Sequence, residues 1–335
     1  MLQEIDKYIS ENNIDLAIKE CEEKNYFSLG TLISKISGKE IISEKQIKIK
    51  LICNWCSSKE LSQLWNKMSQ GNYRWNNLKI VFEDENIDYY VIINSPMEAE
   101  NFIPEKTFLF QMEPELKNNP NYPFFVNCEK FGLLKIFDHK NEYNNIEWHL
   151  SKSYYELKEM EIKKTKILST VLSSKYRDFG HTKRVDFVKF LEKKNLEIDV
   201  YGDNKWDYKN YKGSLPYHCK DDAIFPYKYT FNVENKEVKN YFTEKLIDGI
   251  LGECLVFYSG CYNIREFFDE RCFVYLELKN FEKDYQIIKN AIEKDLHSQR
   301  LPYILEAKKK ILEDMNFFSR LEREIKKIKK FQIQS

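Results

Sequence analysis

The sequence predicts an α/β fold of two doubly wound domains. Short apolar runs of strand type alternate along the chain with segments whose apolar residues recur at helical spacing, the order from which such sheets are built. The chain has 335 residues, enough for roughly two domains, and its hydrophobic content of 42% is sufficient for two buried cores. The succession of strand, loop, helix and strand is clearest between residues 227 and 258.

Residues 1–45 precede the first predicted strand and are expected to form a helical extension. Their apolar residues follow a loose helical spacing, with Asn13 as a candidate break and a second helix expected around 27–36. Amphipathic helix pairs of this kind usually cover a core, so packing is favoured over binding of a partner.

Two α/β domains and a helical end are predicted after this extension. The first domain, residues 46–158, is expected to contain a strand at 46–53, a helix at 58–68, and strands at 78–82, 89–93 and 107–110. The second, residues 159–285, is expected to contain strands at 166–173, 196–201, 229–235 and 254–258, with helices at 183–193 and from Thr243 onward. Residues 286–335 are predicted to be helical and to end in a basic amphipathic run at 321–330.

The aromatic strand before residue 235 and the helix after it predict a phosphate site. Tyr229, Phe231 and Val233 alternate with polar residues, as in a half-buried strand, and Thr243 is the expected N-cap of the next helix. Ligands bind doubly wound sheets at strand ends, where a helix start offers unpaired backbone N–H groups. Lys245 in the first turn of that helix adds a full positive charge, so a phosphate is expected to bind there.

Charge and composition exclude several functional classes. Lys plus Arg and Asp plus Glu number 53 each, so no overall field attracts nucleic acid, and an anionic ligand needs a local cluster of cations. No stretch approaches the roughly 20 apolar residues of a membrane span, and the polar start is not that of a signal peptide. Eight cysteines without a disulfide-rich pattern suit a reducing compartment. We expect a cytoplasmic protein, soluble or peripherally membrane-associated.

The basic run at 321–330 has two interpretations. A solvated helix face is favoured, because runs of charge on a helix usually face water. Peripheral contact of this helix with an anionic membrane is the alternative.

The segment from Tyr227 to Lys245 resembles the donor-binding motif of the α-1,3-fucosyltransferases, glycosyltransferase family 10. The family pattern is Tyr-Lys-Phe, Phe-Glu-Asn, a short spacer and Tyr-Val-Thr-Glu-Lys. This chain has Tyr-Lys-Tyr-Thr-Phe-Asn-Val-Glu-Asn and, after five residues, Tyr-Phe-Thr-Glu-Lys, so the spacing matches without a gap. Val233 and Phe242 replace the usual Phe and Val, both of them apolar exchanges.

The resemblance implies a GT-B type fold, with two Rossmann-like domains facing across a cleft, and an inverting transferase of glycan biosynthesis such as protein glycosylation. The donor would be GDP-fucose and the acceptor a hydroxyl of a glycan. Implied donor-binding residues are Arg184, Asn235, Tyr241, Glu244 and Lys245. Arg177, in the loop after the preceding strand, is a rival for the position of Arg184.

An inverting transfer also needs a base that takes the proton of the attacking acceptor hydroxyl. Residues 108–115 resemble the family strand that presents this carboxylate, which implies Glu113 as the catalytic base and Glu115 as its nearest substitute. Met112 and Pro114 replace the Gly and Asn usual in the family.

No obligatory metal or other cofactor is expected. Metal-dependent sugar transferases commonly use an Asp-x-Asp pair to bridge Mn²⁺ or Mg²⁺ to the diphosphate, and the sequence contains none. Protein cations would then stabilise the leaving group. Stimulation by Mn²⁺ or Mg²⁺ stays open.

Three alternatives remain at this point. The donor could be another nucleotide sugar, since the residues alone do not identify the sugar. The Cys-x-x-Cys sequence at 53–56, between a predicted strand and helix, occupies the position of a thiol–disulfide redox pair. A non-catalytic sugar-binding protein would keep the donor cleft without a working base.

Overall fold

The computed structural model of the protein describes residues 3–11, 13–23, 46–97, 100–113, 128–143 and 146–334. At the start of the chain, α1 (Gln3–Ser10) and α2 (Ile14–Glu23) pack together around the buried side chains of Ile5, Ala17 and Cys21. These two helices agree with the predicted extension. The helix predicted around 27–36 lies outside the described residues.

The first sheet is built from strands that occur before residue 140. Its elements are β1 (Ile47–Cys53), α3 (Ser58–Trp65), β2 (Arg74–Trp75), β3 (Leu78–Val81), β4 (Tyr89–Ile93), β5 (Thr107–Phe110) and β6 (Lys135–Phe137). The strand order is β2-β3-β1-β4-β5-β6, and every pair is parallel except β2 with β3. A Ser57–Glu60 capping box begins α3, which explains why the predicted helix starts at this position.

The second sheet contains six strands in wholly parallel pairing. After α4 (Tyr154–Glu159), its elements are β7 (Lys166–Leu172), α5 (Phe179–Lys193), β8 (Asp199–Gly202), β9 (Tyr211–Gly213), α6 (Asp221–Ile224), β10 (Tyr227–Val233), α7 (Glu244–Leu251), β11 (Leu255–Ser259) and β12 (Phe273–Tyr275). The order is β12-β11-β10-β7-β8-β9. The neighbouring strands β10 and β11, both inside this sheet, are buried almost throughout, as parallel strands covered on both faces must be.

The chain ends in helices that return from the second sheet to the first. They are α8 (Phe281–Glu293), α9 (Leu296–Lys310), a π-helical turn (Ile311–Met315) and α10 (Phe317–Gln334). The ring of Phe317 packs edge-on against Trp65 at 4.8 Å and Phe110 at 5.3 Å, both in the first half of the chain. Helix α10 therefore covers the first sheet.

Loops that follow strands of both sheets meet between them. The ring of Tyr143, after β6, stacks on Phe242, after β10, with centroids 5.7 Å apart. Asn240 donates a hydrogen bond to the backbone oxygen of His139 at 2.9 Å. The carboxyl ends of the two sheets thus face each other, and the predicted α/β fold of GT-B type is confirmed.

The predicted domain boundaries near residues 45, 158 and 285 stay predictions, although the two sheets fall on either side of residue 158. In the part of the chain that the structure describes, no helix combines the length and the apolar character needed to cross a membrane.

Candidate active site

The end of β10 and the start of α7 form the centre of the candidate site. Thr243 is the N-cap of α7, as predicted, and its hydroxyl accepts a hydrogen bond from the N–H of Lys245 at 3.3 Å. Glu234, directly after β10, accepts hydrogen bonds from both the N–H and the hydroxyl of Thr243, each at 2.8 Å. Gly260 packs so closely that a Cβ there would lie 2.4 Å from Glu234 Cγ. The loop between β10 and α7 is therefore anchored to the sheet by a buried carboxylate.

Charged side chains form one network at the first turn of α7. Lys245 Nζ lies 3.2 Å from Glu244 Oε1 and 3.6 Å from Glu234 Oε2. Lys220 Nζ lies 2.8 Å from Asp248 Oδ2 and 3.5 Å from Glu244 Oε1. Glu244 thus bridges two ammonium groups.

Burial and these ion pairs set the protonation of the network. Burial alone would raise the pKa of Glu244, but the ammonium groups of Lys245 and Lys220 hold it well below its usual range. Burial alone would lower the pKa of Lys245, but Glu244 and Glu234 raise it. Glu244 and Lys245 are therefore both charged at neutral pH.

Arg184 approaches the same loop from α5. Its side chain is buried, and its guanidinium donates to Ser173 Oγ at 2.9 Å and to Asn235 Oδ1 at 3.4 Å. Within the described residues the Nε atom has no hydrogen-bond partner. Burial lowers the pKa of Arg184, but a guanidinium remains charged in a protein. The rival residue Arg177 is exposed.

Helix α5 comes close to β10 because its second residue is glycine. A Cβ at Gly180 would lie 1.8 Å from the backbone oxygen of Glu234, so no larger residue fits without moving backbone. The N–H of Gly180 donates to the backbone oxygen of Asn235 at 3.2 Å. This contact places Arg184, one turn further along α5, beside the loop that leads to Lys245.

A cavity of about 430 Å³ lies at the carboxyl ends of β7, β8 and β10. Four of the predicted donor-binding residues line it, namely Arg184, Asn235, Glu244 and Lys245. Other lining residues come from the loops after β7, β8 and β9, among them Ser173, Lys175, Asp203, Ser214, Leu215 and Tyr217. The structure therefore brings the two predicted cations, Arg184 and Lys245, together in one pocket.

Tyr241 lies elsewhere. It is 1% exposed, does not line the cavity, and its ring packs edge-on against His139 with centroids 5.1 Å apart. Its visible contribution is packing between the loop before α7 and the first half of the molecule.

Glu113 follows β5 in the first half of the molecule. The backbone N–H groups of Met112 and Glu113 point at Asn94 Oδ1, at 2.8 and 3.4 Å, and His139 Nε2 lies 2.9 Å from the backbone oxygen of Met112. The half-buried Glu113 does not line the cavity itself, but its charge contributes to the raised pKa of Lys245. Glu113 therefore lies on the side of the first sheet that faces this cavity. Pro114 and Glu115 are outside the described residues.

The two cysteines of the Cys-x-x-Cys sequence lie side by side. Cys53 Sγ and Cys56 Sγ are 3.5 Å apart, at the end of β1 and before α3. Burial raises the pKa of Cys53, and burial together with the neighbouring thiol raises the pKa of Cys56 to about 12. Both are therefore thiols at neutral pH.

In the described ranges of the chain, no group of three or more His, Cys, Asp or Glu side chains is arranged to hold a metal ion.

Sequence reasoning missed three groups of this site. Glu234 belongs to the motif but carries no local sign that it anchors Thr243. Lys220 lies outside every motif and reaches Asp248 only through the fold. His181 precedes Arg184 by one turn of α5 and lines the cavity. A helical projection of α5 from Phe179 onward would have placed His181 and Arg184 on one face.

Comparison with known proteins identifies the second half of the molecule. Residues 161–290 match the family model described as glycosyltransferase family 10 (fucosyltransferase), C-terminal domain. This segment is a glycosyltransferase family 10 domain. It contains the whole second sheet and every residue that lines the cavity. The family resemblance predicted from the sequence is confirmed, and the family 10 domain carries the candidate donor site.

Several solved glycosyltransferase structures are similar to this chain. An α1,3-fucosyltransferase is 17% identical, with 83% of this chain and 95% of that chain covered and a TM-score of 0.45. An α1,3-fucosyltransferase with GDP-fucose is 18% identical over 82% of this chain and 94% of that chain, with a TM-score of 0.43. WaaG, a glycosyltransferase involved in lipopolysaccharide biosynthesis, is 11% identical, with 83% of this chain and 99% of that chain covered and a TM-score of 0.48. No curated protein matches the chain in sequence.

Proposed function

We propose that this protein is an inverting glycosyltransferase that transfers fucose from GDP-fucose to a hydroxyl of a glycan acceptor. The observation that carries the proposal is the cavity in the family 10 domain, where Arg184 and Lys245 meet at the start of α7. A nucleoside diphosphate carries its negative charge on the phosphates, and this cavity offers two fixed cations to that charge.

The cations would act mainly as the donor breaks. Negative charge grows on the departing diphosphate as its bond to the sugar weakens, and preorganised cations stabilise that charge without having to move. Arg184 and Lys245 are held in place before any ligand arrives, by Ser173 and Asn235 on one side and by Glu244 and Glu234 on the other.

Glu244 would hold the sugar or the ribose. Its pKa lies well below the usual range, so the group is a carboxylate at neutral pH and accepts hydrogen bonds from hydroxyls. Asn235 lines the same cavity and would position the donor from the start of the β10–α7 loop. Tyr241 would act indirectly, by packing the loop between them against His139.

Glu113 would be the base of the reaction. The acceptor oxygen attacks the anomeric carbon as Glu113 takes its proton, and the bond to the diphosphate breaks on the opposite face, which inverts the configuration. Its support is its place on the first sheet, within electrostatic reach of Lys245. No metal ion takes part in this scheme, and stimulation by Mn²⁺ or Mg²⁺ is a separate question.

Two alternatives are less well supported. Thiol–disulfide exchange requires a thiolate, and the raised pKa values of Cys53 and Cys56 oppose its formation. Membrane contact through residues 321–330 needs an apolar helix face, yet Leu321 and Ile325 are buried within the molecule. A cytoplasmic location with this run solvated is the arrangement we propose.

The decisive experiment is a calorimetric titration with GDP-fucose, other GDP sugars and UDP sugars. We expect GDP-fucose to bind and Lys245→Ala to weaken binding at least tenfold, because a charge-assisted contact with phosphate is lost. Lys193→Ala, an exposed lysine at the far end of α5, should bind like the wild type. Tighter binding of a UDP sugar would mean that the donor is not GDP-fucose. Hydrolysis of the donor without transfer would indicate a protein that binds the sugar but lacks a working base.

A further inference from the structure

A histidine and an aspartate form a pair in the cavity wall, outside the donor-binding motif. His181 lies in the first turn of α5, is 4% exposed and lines the cavity. Its Nδ1 atom is 3.0 Å from Oδ2 of Asp178, the residue that directly precedes the helix. Nδ1 has no hydrogen-bond partner within the described residues, so this contact becomes an ion pair only when the ring is protonated.

The other ring nitrogen is the one available to a ligand. No hydrogen bond from the described residues engages His181 Nε2. Unlike Nδ1, this atom is not fully buried. Arg184 follows three positions later on the same helix face. His181 and Arg184 therefore present nitrogen atoms to the same cavity.

The charges around His181 keep the ring neutral while the cavity is empty. Burial, and then the positive charge of Arg184, lower the pKa of His181 to about 4, against the opposing effect of Asp178. Lys175, in the loop after β7, adds further positive charge. From the β10–α7 segment, the charges of Glu234 and Glu244 act on the guanidinium of Arg184. Lys245, from the same segment, lines the cavity.

We propose that His181 is a further catalytic residue, which donates a hydrogen bond from Nε2 to the donor's diphosphate and binds a proton when the diphosphate enters. Asp178 is its positioning residue. The inference rests on the proposed function only in that a diphosphate occupies this cavity. A diphosphate placed between His181 and Arg184 offsets the guanidinium charge and adds negative charge beside the ring, so the imidazolium becomes the favoured form.

The bond between the anomeric carbon and the β-phosphate oxygen breaks, and its electron pair stays on that oxygen. The acceptor oxygen bonds to the carbon, and its proton passes to Glu113. The imidazolium of His181 holds its own proton and stabilises the new charge on the phosphate through the Nε2–H. That proton returns to solvent when the nucleoside diphosphate leaves.

The test is proton uptake measured by calorimetry at pH 6.5. GDP and, separately, inorganic pyrophosphate are titrated into the wild type, His181→Gln, Asp178→Asn and Lys193→Gln, in two buffers of different ionisation enthalpy. The difference between buffers gives the protons bound per ligand. The ligand's own ionisation is common to all four proteins, so differences between variants belong to the protein.

We expect the wild type and Lys193→Gln to take up protons that His181→Gln does not, with Asp178→Asn taking up fewer than the wild type. His181→Gln keeps an N–H donor, so its affinity should fall by no more than about tenfold. Equal proton uptake in wild type and His181→Gln overturns the inference. Should His181→Gln fail to fold, equal uptake in Asp178→Asn and wild type overturns it.

The two ligands separate this inference from the proposed function. Failure of GDP to bind while pyrophosphate shows uptake that depends on His181 rejects a GDP donor and supports the histidine's role. Binding of GDP without such uptake leaves the donor assignment standing and rejects the role of His181. Failure of both ligands to bind the wild type rejects both proposals.

Discussion

The roles that we propose for single residues of this site are separated in space. Glu113 belongs to the first sheet's loops, whereas every residue lining the donor cavity lies between positions 170 and 248. Removing the proposed base should therefore affect transfer and leave binding of the proposed donor intact. Removing a cavity cation should affect both.

We expect Glu113→Gln to lower the rate of fucose transfer by about 100-fold or more, because an amide cannot accept the acceptor's proton. Affinity for GDP, followed by calorimetry, should stay within about twofold of wild type, since a neutral isostere leaves the cavity unchanged. Glu105→Gln, an exposed carboxylate just before β5, is the control and should transfer normally. Retention of the full transfer rate by Glu113→Gln would rule out this base.

Gly180 sets the distance between α5 and β10. Because a Cβ would lie 1.8 Å from a backbone oxygen, Gly180→Ala must push the start of α5 away from the sheet. We expect a loss of about 1–3 kcal/mol in the free energy of unfolding, and weaker GDP binding because Arg184 moves with the helix. Urea unfolding and calorimetry measure the two effects, with Lys193→Ala as the control on the same helix. If Gly180→Ala keeps both the stability and the GDP affinity of the wild type, the start of α5 can move away from the sheet without an energetic penalty.

Local sequence signals predicted elements well where the elements are locally determined. Thr243 begins α7 as predicted, because an N-cap hydroxyl and the N–H it accepts are two residues apart. The start of α5 was predicted at 183, but the helix begins at Phe179. Its first turn has no side-chain cap, and Gly180 is a weak helix former. What holds this turn is its contact with the backbone of Glu234 and Asn235, directly after β10, which no local pattern reveals.

The same distinction applies to the site and to the short strands. The motif predicted Arg184, Asn235, Glu244 and Lys245, all of which line the cavity. The buried Glu234 and the half-buried Lys220 were missed, because ion pairs between distant segments depend on the fold rather than on spacing. Strands β2, β6 and β9 have only two or three residues each, too few to show a periodic pattern.

The charge network at the start of α7 makes stability depend on pH. The pKa of Glu244 lies well below its unfolded value, so the unfolded chain binds more protons at low pH and stability falls as pH drops below about 4.5. We expect Glu244→Gln to cost about 3 kcal/mol at pH 7, since it leaves Lys245 and Lys220 short of a partner. The difference from wild type should shrink as pH approaches 3.

Urea unfolding between pH 3.5 and 7 measures this prediction. Glu306→Gln, at an exposed position on α9, should parallel the wild type throughout. A constant difference between Glu244→Gln and wild type over the whole range would mean that Glu244 titrates alike in the folded and unfolded chain.

At the scale of the whole molecule, α10 joins the end of the chain to the first sheet. The Arg320 guanidinium lies 4.2 Å from the ring centroid of Tyr143 and 4.6 Å from that of Phe137, and it pairs with Glu142 at 2.8 Å. Tyr143 in turn stacks on Phe242 in the family 10 domain. One arginine thus supports a contact that reaches from the last helix to the donor side.

We expect Arg320→Met to lower the melting temperature by several degrees, because a buried charge-assisted contact with aromatic packing is lost. The transfer rate should fall more than GDP affinity, since the cavity lies wholly in the other half. Arg323→Met, at an exposed position three residues further along α10, should change the melting temperature less. Equal effects of the two substitutions in thermal unfolding would contradict this account of α10.

Because the cavity proposed to hold the nucleotide is lined by one contiguous stretch of the chain, we expect the choice of donor to be separable from the choice of acceptor. Exchanging the loops of the first sheet for those of another transferase would then change the acceptor, and with it the product, without changing how the nucleotide is bound. The exchanged loops must also present a surface that packs against α10, since this last helix contacts both halves of the molecule.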